Sequence, residues 1–329
     1  MGVVIGWLTV VMVIGVIGII AGALIAALLR RPLSKTLDSV SVSGRFWLST
    51  AVLMAPLLLA MSLVFIAFYP PVFDALGIWL GQCHCSGAEP HRCAMHFMES
   101  GPPALSGWWS AAALMAMTGL IVRWGRVGRS VAQSHNWSNQ LMKLADFDED
   151  IGGYVVDSER AFAMTTGLIR PRIVVSKQLR QILTPEQFDA VLAHERGHRS
   201  RFDGMVFAVL NIAGGCHFPA TRTLLLDAAS VASEQLCDRR AARQVGDRLT
   251  VAEAILALKR STPAMSTPSV THRFSRKAVE RRVEHLLDEE AQGVGRGLGV
   301  VCTLSLLAVV AANSHHLHHL LEQAIATIS

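Results

Sequence analysis

The stretch TPEQFDAVLAHERGHRSR, residues 184–201, combines a helix start with a metal-site spacing. Thr184 is a good N-cap, Pro185 suits the first helical position, and Gln187 is placed to complete a capping box. Phe188, Val191 and Leu192 follow at core-facing spacing, which predicts an amphipathic helix. His194 and His198 are four residues apart and so share one helical face. Two imidazoles on one face can hold a single Zn²⁺, and Glu195 between them can act on a water as general base. Taken alone, HExxH is also compatible with a surface helix carrying two solvated histidines.

A catalytic zinc needs a third protein ligand and an open position. Downstream, 223–245 reads as helical and contains Ser233-Glu234-Gln235-Leu236-Cys237-Asp238. Glu234 and Asp238 again share a face. Glu234 is the candidate third ligand, and Asp238 can accept the free ring N–H of a ligand histidine. Cys237 lies off that face and reads as a small core residue. Upstream, 154–156, 161–163 and 173–175 have strand character, with Gly167 and Pro171 between the last two.

Beyond this segment the chain is strongly apolar. Of 329 residues, 51% are hydrophobic and only 17% charged; soluble domains carry roughly 25% charged residues. That excludes a disordered tail protein. Six cysteines are too few for a disulfide-built scaffold of this length. Residues 3–29 and 46–68 contain no charge, and each run can span a bilayer core of ~30 Å. The first is closed by Arg30 and Arg31, so it reads as an uncleaved anchor rather than a signal peptide. The second contains Pro56, read as a kink, and is followed by Pro70 and Pro71, where the helix is expected to stop. Runs 104–122 and 297–313 are the expected third and fourth spans. The apolar segment 205–218 is too short to cross, and reads as a buried or membrane-skimming helix.

The charge distribution sets the orientation. Four basic residues lie in 30–45, one (Arg92) in 69–103, and 25 in 123–296, with none before or after. The positive-inside rule then places 30–45 and 123–296 in the cytoplasm, and both termini and 69–103 outside. The net charge of +5 is thereby a matter of topology, and no nucleic-acid binding is expected. The division that follows is 1–122, three spans with an external loop; 123–296, a cytoplasmic domain; and 297–329, a fourth span with a short external tail.

The region 161–245 resembles the BlaR/MecR family of membrane zinc metallopeptidases. The matching elements are Gly167-x-x-x-Pro171-x-Ile173, Leu183-Thr184-Pro185-Glu186-Gln187, Val191-Leu192-Ala193-His194-Glu195-x-x-His198, Arg201-x-Asp203 and Glu234-x-x-Cys237-Asp238. The layout of three spans, a cytoplasmic domain and a fourth span is also similar. The resemblance implies a mainly α membrane protein with an α+β gluzincin-like domain. It implies one Zn²⁺ on His194, His198 and Glu234, Glu195 as base, and Asp203 and Asp238 in support. It further implies a protein substrate, a BlaI/MecI-like repressor or the protease itself, cleaved at the plasma (bacterial inner) membrane in response to a signal. Two departures stand out. About 16 residues follow the fourth apolar run, without a Ser-x-x-Lys signature, so direct β-lactam sensing is not expected of this chain. Arg196 stands where an apolar residue is usual.

The loop 69–103 carries Cys83, Cys85, Cys93 and His96, and the tail carries His315, His316, His318 and His319. Soft sulfur with imidazole suits Cu(I) or Zn²⁺, so a metal or redox sensor is one reading; a disulfide with one cysteine over and a solvated histidine tail is the plainer one. His272 and Arg281 are candidates for an oxyanion partner only through their location. The rival functions are an HtpX-like quality-control protease and a non-catalytic receptor with a structural metal site.

Overall fold

The computed structural model describes residues 2–75, 107–261 and 276–287. Its first layer is apolar. Helix α1 (Gly2–Leu28) is followed by the short α2 (Arg30–Ser39) and the long α3 (Val42–Ala75). Residues 3–28 of α1 and 46–68 of α3 carry no charge, so these runs pack through shape, and small residues set the contact. A Cβ at Gly18 would lie 2.6 Å from the Ala60 Cα, and one at Gly22 2.7 Å from the Pro56 Cα. The two helices thus run in opposite senses with their backbones nearly touching.

Among the described residues two helices are long and apolar enough to cross a membrane, Gly6–Leu28 and Val42–Phe68. They correspond to the first two expected spans. Helix α3 does not stop at Pro70 and Pro71 but continues to Ala75. Each proline removes one N–H from the helical ladder, a loss the helix tolerates near its end. The expected third span falls in α4 (Gly107–Lys143), whose apolar part within the described residues, 107–122, is cut by Arg123. The fourth run, 297–313, lies outside the described residues, as do Cys83, Cys85, Cys93, His96 and the histidine tail.

The second layer is a four-stranded sheet beside helices. Strands β1 (Ala145–Asp148), β2 (Gly153–Val156), β3 (Ala163–Thr166) and β4 (Arg172–Ser176) assemble in the order β1-β2-β4-β3. Strands β2 and β4 are parallel, and the other pairs antiparallel. The expected strand at 161–163 instead begins at Ala163, because Ala161 turns into the core beneath Ile173, Val175 and Leu192. Helices α5 (Lys177–Ile182), α6 (Pro185–Arg201), α7 (Asp203–Gly214), α8 (Pro219–Val245), α9 (Arg248–Ser261) and α10 (Arg276–Leu287) complete the described chain.

Three cores join these layers. One seals the sheet onto α6 through Ile173, Val175, Leu179, Val191 and Leu192. A second holds α6, α8, α9 and α10 together through Ala190, Ala193, Ala241, Val251 and Val279. The third ties α7 and α8 to α2 and α3: Leu37, Phe46 and Leu53 pack with Leu210, Ala213, Leu225 and Ala229. Helices α7 and α8 therefore share a core with α2 and α3.

Candidate metal centre

Helix α6 begins as its sequence requires. Thr184 Oγ1 accepts from the Gln187 N–H, and Gln187 Oε1 accepts from the Thr184 N–H, each at 3.3 Å. Gln187 also donates to Glu253 on α9 at 3.1 Å, fixing the helix start against its neighbour. Further along, Gly197 inside the HExxH motif faces Cys237 on α8. A Cβ there would sit 3.0 Å from the Cys237 sulfur, so only glycine lets α6 and α8 come this close.

That approach brings His194, His198 and Glu234 together, with one ligand atom from each within 4.8 Å of the others. The two Nε2 atoms are 3.1 Å apart. Glu234 Oε2 lies 3.4 Å from His194 Nε2, and Oε1 lies 3.6 Å from His198 Nε2. The far side of each ring meets a carboxylate: His194 Nδ1 is 2.8 Å from Asp238 Oδ1, and His198 Nδ1 is 2.6 Å from Asp203 Oδ2. A carboxylate at Nδ1 favours a proton there and leaves the Nε2 lone pair facing inward. Two facing lone pairs beside a carboxylate repel unless a cation or proton sits among them. The donor set of two imidazoles and one carboxylate fits Zn²⁺.

Each supporting carboxylate is held in turn. Ser233 donates to Asp203 Oδ2 at 2.6 Å, and Arg201 Nε is 3.3 Å from Oδ1. Asp203 reaches back to His198 because Phe202, between α6 and α7, adopts a left-handed backbone at φ 52°. This is an uncommon conformation for a bulky residue, and it reverses the chain within one step. Asp238 is fully buried and pairs with the buried Arg282, whose Nε and Nη2 lie 2.7 and 2.6 Å from its two oxygens. Arg282 Nη1 also lies 3.1 Å from Glu234 Oε2. Glu234 Oε1 lies on the His198 side.

Glu195 is buried, and Thr165 Oγ1 on β3 lies 2.7 Å from its Oε2 and 2.9 Å from its own carbonyl oxygen. One hydroxyl hydrogen serves both acceptors, tying the edge strand to the motif helix.

The electrostatics match this pairing. Burial opposes charge on His194, yet the Asp238 and Glu234 carboxylates outweigh it and raise its pKa to about 9. His198 is likewise driven well up, against its burial, by Glu234 and Asp203. Burial would raise Glu234, but Arg282 and the imidazoles hold it well below the ordinary range; Asp238 is lowered by Arg282 and His194. A pocket without a cation therefore retains protons that a metal would displace.

The structure brings His194, His198, Asp203, Glu234 and Asp238 together, and Glu195 stands between the two histidines on α6 with its carboxylate against Thr165. Cys237 is buried with its sulfur 3.5 Å from His198 Nδ1. His198, Asp203 and Cys237 also form a close group. On that side of the ring the Asp203 hydrogen bond already occupies Nδ1. Arg281 is not at the site: it is exposed, and its carbonyl accepts from Gln235 at 3.1 Å. The next residue, Arg282, is the one that enters. Its signal was available, because Ala278, Val279, Arg282 and Leu286 recur at helical spacing and form the buried stripe of α10. An arginine on an apolar stripe implies a buried partner. Thr165 had no such signal. His272 lies outside the described residues.

Searches of the curated proteins and of the solved structures each find no match. The model of the BlaR1 peptidase M56 family matches residues 81–286. With more than half of the chain matched and the HExxH histidines set beside Glu234, the chain belongs to the BlaR1 peptidase M56 family, a family of membrane-associated metallopeptidases.

Proposed function

We propose that this chain is a signal-responsive, multi-pass membrane zinc endopeptidase. Its peptidase segment, 123–296, faces the cytoplasm, and it cleaves a BlaI/MecI-like repressor or itself. The observation that carries the reading is the pair of HExxH imidazoles whose inner nitrogens converge on Glu234 while their outer nitrogens rest on Asp238 and Asp203.

His194, His198 and Glu234 would hold the ion. Zn²⁺, when bound, supplies a Lewis acid that polarises a scissile carbonyl and acidifies water. The remaining work falls to the chain. Glu195 takes a proton from the attacking water and delivers it to the leaving amine. Thr165 restrains the Glu195 carboxylate at one oxygen, leaving the other for that proton. Asp203 and Asp238 keep both rings in the tautomer that binds. Arg282 offsets the negative charge that Glu234 and Asp238 bring into a buried place.

The sheet also suggests how substrate enters. Strand β3 is at the sheet edge, paired on one side with β4, and carries Thr165 beside Glu195. An extended peptide can add to such an edge by backbone hydrogen bonds. That mode suits a protease that unfolds a short segment of a folded repressor. Replacing Glu195 with Gln tests the reading: metal content stays, and cleavage of the co-expressed repressor or of the chain itself is lost. Retained cleavage would overturn it, and retained signalling without any cleavage would favour the receptor with a structural ion.

A further inference from the structure

Helix α7 is apolar on both sides. Leu210 and Ala213 pack into the α3 core, while Met205, Val209, Ile212 and, beyond the turn, Phe218 are 40–47% exposed on the other side. A helix apolar all round is buried in protein or in lipid. The depth of its neighbours says which. Arg201, just before α7, lies over the Phe46 ring at 4.7 Å, where the apolar part of α3 begins. At the far end, His217 Nε2 lies 3.1 Å from the Leu53 carbonyl oxygen. Leu53 is seven residues further into α3, or about 10 Å deeper. Gly215 and Cys216 share a crevice with Val16, Ile19 and Ile20, midway along α1. The turn thus stands beside the middle of both apolar helices.

Hydrocarbon requires backbone donors to find partners within the protein, and three of the turn's N–H groups do so. The N–H groups of Gly215, Cys216 and His217 bond to Asn211, Ala213 and Gly214 carbonyls, and Trp124 Nε1 donates to the Ile212 carbonyl at 2.9 Å. Asn211 donates to the Phe207 carbonyl and accepts from Arg222 at 3.0 Å. His217 is fully buried and sits where Pro56, lacking an N–H, leaves the α3 ladder one bond short.

We propose that α7 and the start of α8 form a re-entrant wedge. It enters the bilayer from the side of the metal centre, anchored by His217 on α3, with Met205, Val209, Ile212 and Phe218 against acyl chains of the near leaflet. From Phe218, α8 climbs sixteen residues, about 24 Å, to Glu234, which carries the metal centre back out above the apolar layer. Arg123 opens on the same crevice as the turn, so the leaflet must thin or admit water at that point. The wedge does not depend on the peptidase reading.

The unaltered full chain in nanodiscs of phosphatidylethanolamine and phosphatidylglycerol, doped with a lipid carrying a diazirine on its acyl chain, tests this directly. Photolysis and peptide mapping should find adducts on 205–218 as well as on the outer faces of α1 and α3. Adducts on α1 and α3 with none on 205–218 would overturn the wedge. Depth is read with Met205→Trp and Phe218→Trp against wild type in brominated lipids. The added fluorescence of Phe218→Trp should be quenched most by bromines deep in the chain, and that of Met205→Trp by shallow ones. Equal depth, or quenching of both by aqueous iodide alone, would leave a helix lying flat and reject the proposal.

Discussion

The α1–α3 pair and the α6–α8 pair make the same kind of contact for opposite purposes. In both, a glycine lets two helices nearly touch: Gly18 and Gly22 against Ala60 and Pro56, and Gly197 against Cys237. Around the first contact the buried side chains are almost wholly apolar. Around the second, Glu195, His198, Asp203, Glu234, Asp238 and Arg282 are all buried. Close packing alone therefore does not mark a site. The mark is charge that burial should forbid, retained because every carboxylate has a partner and two imidazoles await a cation.

This contrast can be broken from either side. The largest effect is expected at Glu195→Gln. Loss of a general base should lower kcat by about 10²–10⁴-fold, measured on a peptide substrate, with bound metal unchanged. Arg282→Ala should follow, because it strands Glu234 and Asp238 without their cation. A destabilisation of about 3–5 kcal/mol is expected in denaturant unfolding, and a loss below 1 kcal/mol would show that the network does not need it. Asp203→Asn should weaken metal binding about 10–100-fold by loosening the His198 ring, read by competition with a chelator. On the apolar side, Gly18→Val should separate α1 from α3 at about 1–3 kcal/mol, seen as a lower melting temperature while metal affinity holds. If that variant lost its metal too, the two regions would not be independent.

The smallest effect is a slope with pH. A histidine whose pKa is raised on folding stabilises the metal-free protein below its unfolded value near 6.5, and that contribution fades as pH rises through about 9 for His194. Metal-free protein should therefore lose stability across this window. Over the same window apparent metal affinity should rise by at most about 1.4 kcal/mol per pH unit for each proton displaced. An affinity flat with pH would mean the imidazoles are already deprotonated in the free pocket.

The metal centre was more legible in the sequence than its surroundings. The capping box at Thr184 and Gln187 and the i, i+4 pairs His194/His198 and Glu234/Asp238 are local, and helical geometry alone places their side chains on common faces. Arg282 and Thr165 reach the site through tertiary contacts 44 and 30 residues away in sequence; the apolar stripe of α10 marks Arg282 as buried, but not against which carboxylate, and nothing local marks Thr165. The prolines at 70 and 71 were misleading because helix ends tolerate missing N–H groups better than helix interiors do. Apolar runs reported α1 and α3, the two described helices long and apolar enough to cross a membrane, since composition there is nearly the whole of the physics. The same rule could not say whether 205–218 meets protein or lipid, because both are apolar.

Metal analysis of the folded full-length protein bears most directly on the central claim. One zinc per chain is expected, retained in Glu195→Gln and lost when His194 and His198 are both replaced by Ala. Zinc that survives removal of both imidazoles, or cleavage by a protein shown to be metal-free, would contradict it.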